Sequence, residues 1–269
     1  MNVGMGLSTQ KDSFLATKEA LQQAIKSIKQ ERIDLAVIFS SMEFAHSITV
    51  KTITSLLGEV AVIGCTSTAI ITNRGIFKHG LAVMLINFST ETYFHAAVVK
   101  DINLKNPLSA GEELGERLLY SVKDTRRDLA VILSDGLMED GGGFIAGLQE
   151  RLGKSFPLIG ASASNSLRSF KTFIYSNQDV STNAACGILW GGKLNFGLGI
   201  KHGWKPLGKP RNVTKAKGNV VYEIEGDYAA RVYEEYLACD LEQLKKELNR
   251  VSIFYPMGLY LPGEEEYLL

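Results

Sequence analysis

Short continuous apolar runs alternate with stretches of helical periodicity over the first hundred residues. The run DLAVIF (34–39) carries apolar and β-branched residues in succession, which predicts a strand buried on both faces. Apolar positions at helical spacing predict one helix over 14–28 and another over 46–57. The run VAVIG (60–64) predicts a second buried strand.

The same order of elements returns in the next hundred residues. Apolar spacing predicts a helix that includes Leu114, Leu118 and Val122, and a later helix over 144–152. Between and after these helices, LAVIL (129–133) and PLIG (157–160) predict strands.

Each half also ends in two apolar runs that predict an antiparallel hairpin. In the first half these runs are LAVMLINF (81–88) and TYFHAAVV (92–99). In the second they are AACGILW (184–190) and LNFGLGI (194–200), with Gly191–Gly192 as the turn.

A repeated heptapeptide indicates that the two halves are duplicates. DLAVIFS (34–40) returns as DLAVILS (128–134) with six of seven residues identical. We therefore predict two repeats of about 95 residues, over about 10–100 and 107–200, a length above that of solenoid repeats. The predicted fold class is α/β, with a mixed β-sheet flanked by helices and trailing antiparallel hairpins.

The composition changes near residue 201, where Gly, Pro and Lys become frequent. Downstream we predict a short strand near Val213, a strand at VVYEI (220–224), helices over 227–237 and 240–251, and a closing strand pair. The abrupt end suggests the beginning of a further region that is cut short.

The charge balance and the cysteine content indicate which partners and which cellular compartment to expect. The 269 residues include 29 basic and 29 acidic side chains, so no net field attracts nucleic acid or an anionic membrane. Three cysteines without CxxC spacing argue against a disulfide framework and a zinc site. With neither a secretory signal nor a membrane-spanning run in view, we expect a cytoplasmic protein that needs no cofactor or metal.

Small hydroxyl-bearing residues follow the four predicted parallel strands. Ligands of open α/β sheets bind beyond the carboxyl ends of such strands, where glycine permits close backbone approach and hydroxyls exchange hydrogen bonds. The strings GCTSTA (64–69) and GASASN (160–165) suit a small polar ligand in one shared cleft or in two separate ones. The candidate ligand-binding residues are Ser40, Ser41, Gly64, Cys65, Thr66, Ser67, Ser134, Asp135, Gly160, Ala161, Ser162, Ser164 and Asn165.

Other chemistry has weaker support in the sequence. A nucleophilic Cys65 needs a base, and no histidine spacing supplies one, so we expect a buried structural thiol and no catalytic residue. The acidic loop SDGLMEDGGGF (134–144) lacks the ligand alternation of a calcium loop, and we expect its acids to favour the N-terminus of the following helix.

The segment 202–237 carries several short features in a fixed order. They are His202–Gly203–Trp204, Pro206–Leu207–Gly208, Val213–Thr214, Gly218–Asn219, Gly226, Ala229–Ala230 and Val232–Tyr233, together with VIGCTSTA and LIGASASN upstream. In these features the chain resembles the FIST proteins, sensory domains of signal transduction. Two positions depart from the family pattern, because alanine stands at Ala69 and Ala161 where glycine is common.

The resemblance implies a FIST N-terminal region over 1–225 and the start of a FIST C-terminal region over 226–269. It also implies sensing of a small ligand, such as an amino acid, for a signalling output module outside this chain. Two alternatives stay open: a hydrolase or transferase using Cys65 or a strand-end serine, and a scaffold for protein contacts.

Overall fold

The fold is described from a computed structural model. It describes residues 1–30, 32–120, 125–165, 171–192, 194–199, 203–218, 220–237, 240–260 and 266–268. These residues form two compact units, Met1–Leu198 and Gly199–Leu269.

The first unit alternates strands and helices, with a short 3-10 turn at Ile102–Leu104. Its elements in chain order are β1 (Asn2–Ser8), α1 (Ser13–Ile28), β2 (Leu35–Ser40), α2 (His46–Leu57), β3 (Ala61–Thr66), β4 (Ile70–Thr72), β5 (Gly75–Phe77), β6 (Leu81–Asn87), β7 (Thr92–Lys100), α3 (Pro107–Leu119), β8 (Arg127–Ser134), α4 (Gly141–Leu152), β9 (Leu158–Ser162), β10 (Ile174–Ser176), β11 (Asp179–Ser181) and β12 (Ala184–Gly192).

Two sheets carry most of these strands. The first has the order β1-β6-β2-β3-β10-β11, in which β2 and β3 are parallel with Ser40 opposite Thr66. The second has the order β7-β12-β8-β9, in which β8 and β9 are parallel with Ser134 opposite Ser162. The strands β4 and β5 form a separate small hairpin.

The first unit is a four-layer α/β/β/α arrangement. Residues of α1 and α2, such as Leu21 and Ile53, share one core with Ile38 of the first sheet. Residues of α3 and α4 share a second core with the second sheet. A third core joins the two sheets face to face, with Ile63 and Ile188 on opposite sides. This layering explains the continuous apolar runs of β2 and β8, since both faces of each strand are covered.

Polar side chains fix where the helices of this unit begin. Asp12 accepts a hydrogen bond from the Leu15 amide at 2.8 Å, and Asn106 caps α3 just before Pro107. Asp140, in the acidic loop, accepts from the Gly143 amide at 2.8 Å. The expectation that an acid of this loop serves the N-terminus of the following helix is therefore confirmed.

The mixed α/β class with antiparallel hairpins is confirmed. The strands divide between two sheets, however, and among the described residues the two hairpins predicted at 81–99 and 184–200 are not the ones that form. β6 pairs with β1 and β2, whereas β7 pairs along nine residues with β12. Gly191 and Gly192 lie within β12, and residues 194–199 have no regular structure. Three of the four apolar runs pair with strands other than the neighbouring run, and residues 194–199 join no described strand.

The second strand of the second half is not buried as predicted. Among the described residues β9 pairs only with β8, so Gly160, Ala161 and Ser162 are exposed at the edge of the sheet. Its counterpart β3 is covered on both sides by neighbouring strands and is buried at Gly64 and Cys65.

The second unit contains a small sheet, two helices and a strand pair. Its elements are β13 (Val213–Lys217), β14 (Val220–Ile224), β15 (Asp227–Tyr228), α5 (Arg231–Leu237), α6 (Leu241–Phe254), β16 (Gly258–Tyr260) and β17 (Glu266–Leu268). The predicted elements are present, but the first helix begins at Arg231 because Asp227–Tyr228 pair with β14. Val122, His202, Asn219 and Cys239 lie outside the described residues.

Both halves of the first unit share one order of elements: helix, strand, helix, strand, small hairpin, strand. Their origin by duplication stays a prediction.

Candidate functional site

The carboxyl ends of β2 and β3 form the first half of the candidate site. The Ser67 amide donates to the Ser40 carbonyl at 2.9 Å, just beyond the point where Ser40 faces Thr66. Ser40 and Thr66 are fully buried, whereas Ser67 is half-buried. Gly64 is required in β3, because a Cβ there would lie 2.0 Å from the Ile38 carbonyl oxygen.

The carboxyl ends of β8 and β9 repeat this geometry. The Ala163 amide donates to the Ser134 carbonyl at 2.7 Å, and the hydroxyls of Ser134 and Ser162 lie 3.2 Å apart. A Cβ on Gly160 would lie 2.1 Å from the Ile132 carbonyl oxygen, so this glycine serves the same close approach.

The two strings meet directly, which the sequence did not decide. The Ser164 amide donates to the Thr66 carbonyl at 3.0 Å, and the Thr68 amide donates to the Ser164 hydroxyl at 2.9 Å. The Thr68 hydroxyl also donates to the Asn165 carbonyl at 2.8 Å. We call this contact the seam and define it by Thr66, Ser67, Thr68, Ser162, Ser164 and Asn165.

Part of the seam is open to solvent. Thr68 and Ser162 are exposed, Ser67, Ser164 and Asn165 are half-buried, and Thr66 is buried. The accessible groups are hydroxyls, an amide and backbone polar atoms, which can donate and accept hydrogen bonds without adding a net charge.

The side chains of Ser41 and Asp135 form hydrogen bonds within the fold. Ser41 is tied to Gly80, whose amide donates to its hydroxyl at 3.1 Å. Asp135 is buried and accepts from the Thr172 hydroxyl at 2.5 Å, the Asn183 amide at 2.6 Å and the Leu137 amide at 2.8 Å. These three donors fill most of the acceptor capacity of the carboxylate, so Asp135 fixes loops beneath the seam.

Ser40 belongs to a buried hydrogen-bond chain that the sequence analysis missed. Its hydroxyl lies 2.6 Å from the Tyr175 hydroxyl, which lies 2.7 Å from Nδ1 of His46. Burial lowers the pKa of His46 to about 4, so the imidazole is neutral near pH 7. Burial also raises the pKa of Tyr175, which keeps the phenol protonated. No local sequence motif predicts this hydrogen-bond network, because Ser40, Tyr175 and His46 come from three separate elements.

Cys65 is a buried thiol of the core between the sheets. It is 3% exposed, and burial raises its pKa to about 12. The thiolate that nucleophilic attack requires is therefore strongly disfavoured at neutral pH. Cys186, also buried and free, belongs to the same core.

The described residues contain no group of three or more His, Cys, Asp or Glu placed to hold a metal ion. Two cavities lie away from the seam, one beside Ile102 and Phe144 and the other beside the end of α2 at Ser55 and Gly58. No helix in the described part of the chain has the length and apolar character needed to cross a bilayer.

Relatives of the chain are uncharacterized proteins. A protein of Mycobacterium tuberculosis is 24% identical over 279 residues, a match that spans all of this chain and 69% of the relative. A protein of Mycobacterium bovis is 24% identical over 282 residues, which covers all of this chain and 68% of that protein. A protein of Methanocaldococcus jannaschii is 34% identical over 115 residues, covering 39% of this chain and 22% of that protein.

One solved structure, a cyanuric acid hydrolase from A. caulinodans, aligns with a TM-score of 0.37 and 7% identity over 71% of this chain and 70% of that one. A family model, the FIST N domain, matches residues 34–227. FIST domains are generally sensory domains of signal transduction proteins. With most of its length matched by this model, the chain belongs to the FIST family.

Proposed function

We propose that the first unit is a sensor that binds a small polar metabolite of the amino acid class at the seam. The observation that carries the proposal is the direct contact of the two strings, which gathers the hydroxyls of Ser67, Thr68, Ser162 and Ser164 at one accessible place. An amino acid offers both donors and acceptors, as these groups do, and its zwitterion has no net charge that the seam would need to match.

Binding without covalent chemistry fits the groups beneath the seam. Cys65 is buried and protonated, and the buried carboxylate of Asp135 is engaged by three donors. The free, buried cysteines Cys65 and Cys186 also suit a reducing, cytoplasmic setting. In this proposal a bound ligand ties the two sheets together across the seam, and a signalling partner outside this chain reads the change.

A thermal-shift screen of the protein against the common amino acids and their keto-acid and amide relatives tests the proposal. A ligand at a hundred times its Kd stabilises the folded state by about 2.7 kcal/mol, which such a screen detects. A titration of each stabilising compound by calorimetry then gives the affinity. Failure of every compound to stabilise a well-folded sample would contradict the proposal.

Two serine variants show whether the compound binds at the seam. Ser162→Ala removes an exposed seam hydroxyl and should weaken binding roughly threefold to tenfold, the range for one hydrogen bond. Ser155→Ala removes an exposed hydroxyl from a turn after α4 and should leave the affinity unchanged. If both variants and the parent protein bind the compound with equal affinity, the compound binds outside the seam.

A further inference from the structure

The hairpin of β10 and β11 continues from a contact at the seam. The Thr66 amide donates to the Phe173 carbonyl at 3.0 Å, and the Phe173 amide donates to the Thr66 hydroxyl at 3.0 Å. From the next residue onward β10 lies antiparallel on β3, beginning with Ile174 opposite Cys65. A hairpin of the second half thus covers the outer side of a strand of the first half.

A contact at the other side of the seam leads in the same way towards β9. The Thr68 amide donates to the Ser164 hydroxyl at 2.9 Å, and the Thr68 hydroxyl donates to the Asn165 carbonyl at 2.8 Å. β4 begins at Ile70, two residues after Thr68. β9 ends at Ser162, two residues before Ser164. Two residues span at most about 7 Å, so the start of β4 lies within reach of the end of β9 in the same chain.

The outer side of β9 has no cover among the described residues. β9 pairs only with β8, and its last three residues are exposed. It corresponds to β3, because Gly160 takes the place in β9 that Gly64 takes in β3. The strand LIGAS (158–162) contains no charge or proline of the kind that natural proteins use to block edge pairing. The backbone groups on this side are thus open to pairing with a further strand.

The β4–β5 hairpin has the form of the β10–β11 hairpin but pairs with no other described strand. Each hairpin pairs three residues a side and turns through two, Asn73–Arg74 in one and Asn177–Gln178 in the other. Ile71 is 78% exposed, and its partner Ile76 is 71% exposed. Large neighbouring apolar side chains in water favour an arrangement that covers part of their surface.

Laying the β4–β5 hairpin on β9 gives the second sheet the strand order of the first. The first sheet reads β1-β6-β2-β3-β10-β11, and its first four strands correspond to β7-β12-β8-β9 in order and in direction. With the hairpin added, the second sheet reads β7-β12-β8-β9-β4-β5. We propose that the β4–β5 hairpin is a strap that closes on β9 of its own chain and completes this order.

The register of the closed strap follows from that of β10 on β3. β10 begins opposite Cys65, the last residue but one of β3. The last residue but one of β9 is Ala161. In the closed arrangement Ile70 therefore lies opposite Ala161, and Thr72 lies opposite Ile159.

The Thr68 contact favours the hairpin of the same chain over that of a second copy. It holds the start of β4 beside the end of β9 within one molecule. A segment on so short a tether acts at an effective concentration of about a millimolar, which a second copy would have to match. Strands of three residues form few hydrogen bonds and lose freedom on closing, so the open state, seen in the structure, predominates.

Closing changes the seam as well as the edge. Ser162, at the end of β9, is exposed, whereas Thr66, at the same place in β3, is buried. The closed strap approaches Ser162 from the side on which Phe173 approaches Thr66. The strap thereby governs the access of a ligand to the seam. This consequence rests on the proposed function, whereas the closing itself does not.

Disulfide trapping within one chain tests the closed register. Ser176 and Ile63 form a non-hydrogen-bonded pair of β10 and β3, since the pairs on either side carry the ladder bonds. Such pairs bring Cα atoms within disulfide reach. The equivalent pair across the closed strap is Thr72 and Ile159.

In a Cys239→Ser background, the Thr72→Cys/Ile159→Cys protein is oxidised over a range of protein concentrations. We expect a monomer with an intrachain disulfide, formed at a rate that does not depend on protein concentration. The control, Arg74→Cys/Ile159→Cys, lies two residues out of register and should form its disulfide roughly tenfold more slowly. Disulfide-linked dimers of the first protein, equal rates in the two proteins, or no disulfide in either would overturn the proposal.

Loss of the tether gives a second test. Ser164→Ala removes the hydroxyl that accepts from the Thr68 amide. Added to the Thr72→Cys/Ile159→Cys protein, it should slow trapping about threefold to tenfold, the range for one hydrogen bond. Ser155→Ala, at an exposed turn, should leave the rate unchanged, and equal rates with the two alanines would contradict the proposal. No ligand is added in either test, so ligand binding at the seam and closing of the strap can fail separately.

Discussion

The strands β3 and β9 differ in burial although they share their local design. Both follow a buried parallel strand, both carry a glycine against a neighbouring carbonyl, and both end in small hydroxyl residues. β3 is buried because β10 lies along its outer side, whereas β9 has only β8 beside it among the described residues. Burial of a strand end in this fold is thus decided by a hairpin from the other half.

The β10–β11 hairpin also determines which polar side chains lie next to each pair of strand ends. Tyr175 arrives with β10 and connects Ser40 to His46, the first residue of α2. The first residue of α4 is Gly141, which has no side chain to make such a chain. The covered end is therefore a buried polar network, and the uncovered end is an accessible surface.

The largest effect should come from removing the cover of β3. Tyr175→Ala empties a fully buried aromatic site and leaves His46 and Ser40 without their shared partner, so we expect a loss of about 4 kcal/mol in the free energy of unfolding. The matched change Ile71→Ala, in the uncovered hairpin, should cost less than about 0.5 kcal/mol. Urea denaturation of dilute samples measures both, and equal losses would contradict the comparison.

The two glycines should respond differently to a methyl group. Gly64→Ala and Gly160→Ala both push a Cβ against a carbonyl oxygen, but only β3 is held from both sides. We expect about 3 kcal/mol of destabilisation at Gly64 and about 1 kcal/mol at Gly160, where the edge strand can shift. Thermal denaturation of the two variants checks this order, and a larger effect at Gly160 would be inconsistent with a free edge.

The buried imidazole should make stability depend on pH in one window. The pKa of His46 is lowered to about 4 by burial, partly opposed by a hydrogen bond to the Met42 backbone and by the charge of Glu43, whereas a histidine in the unfolded chain titrates near 6.5. The unfolded state therefore binds more protons between these values, and stability is lost as pH falls from about 6.5 to about 4.

After allowance for solvent screening this loss amounts to about 2 kcal/mol. Urea denaturation at several pH values, compared between the parent protein and His46→Gln, isolates the effect. The slope in this window should be smaller in His46→Gln, and an unchanged slope would mean that other groups carry it.

The local hydrophobic pattern was enough to predict several elements, because a strand buried on both faces has a continuous run of apolar residues. DLAVIF and LAVIL became central strands, and the predicted helix over 46–57 matches α2. β1 was missed because Gly4 and Gly6 interrupt its apolar pattern. Both are needed there, since a Cβ on either would strike a carbonyl oxygen of α1.

Long-range pairing was not predictable from one sequence. The local sequence does not show that β6 and β7 belong to different sheets or that β10 pairs with β3, because each pairing depends on a partner far along the chain. The same holds for the site. Its strings were visible as strand ends, but their contact at Thr68 and Ser164 and the Ser40–Tyr175–His46 chain arise only from packing.

Hydrogen exchange of backbone amides in the two strands tests the central claim. The claim is that the two strand ends differ in burial because a hairpin covers β3, whereas no described strand other than β8 pairs with β9. In dilute solution, amides of β3 from Gly64 to Thr66 should exchange more slowly than those of β9 from Gly160 to Ser162, on the order of 100-fold at positions not bonded to β8. Equal protection of the two strands under these conditions would contradict the account.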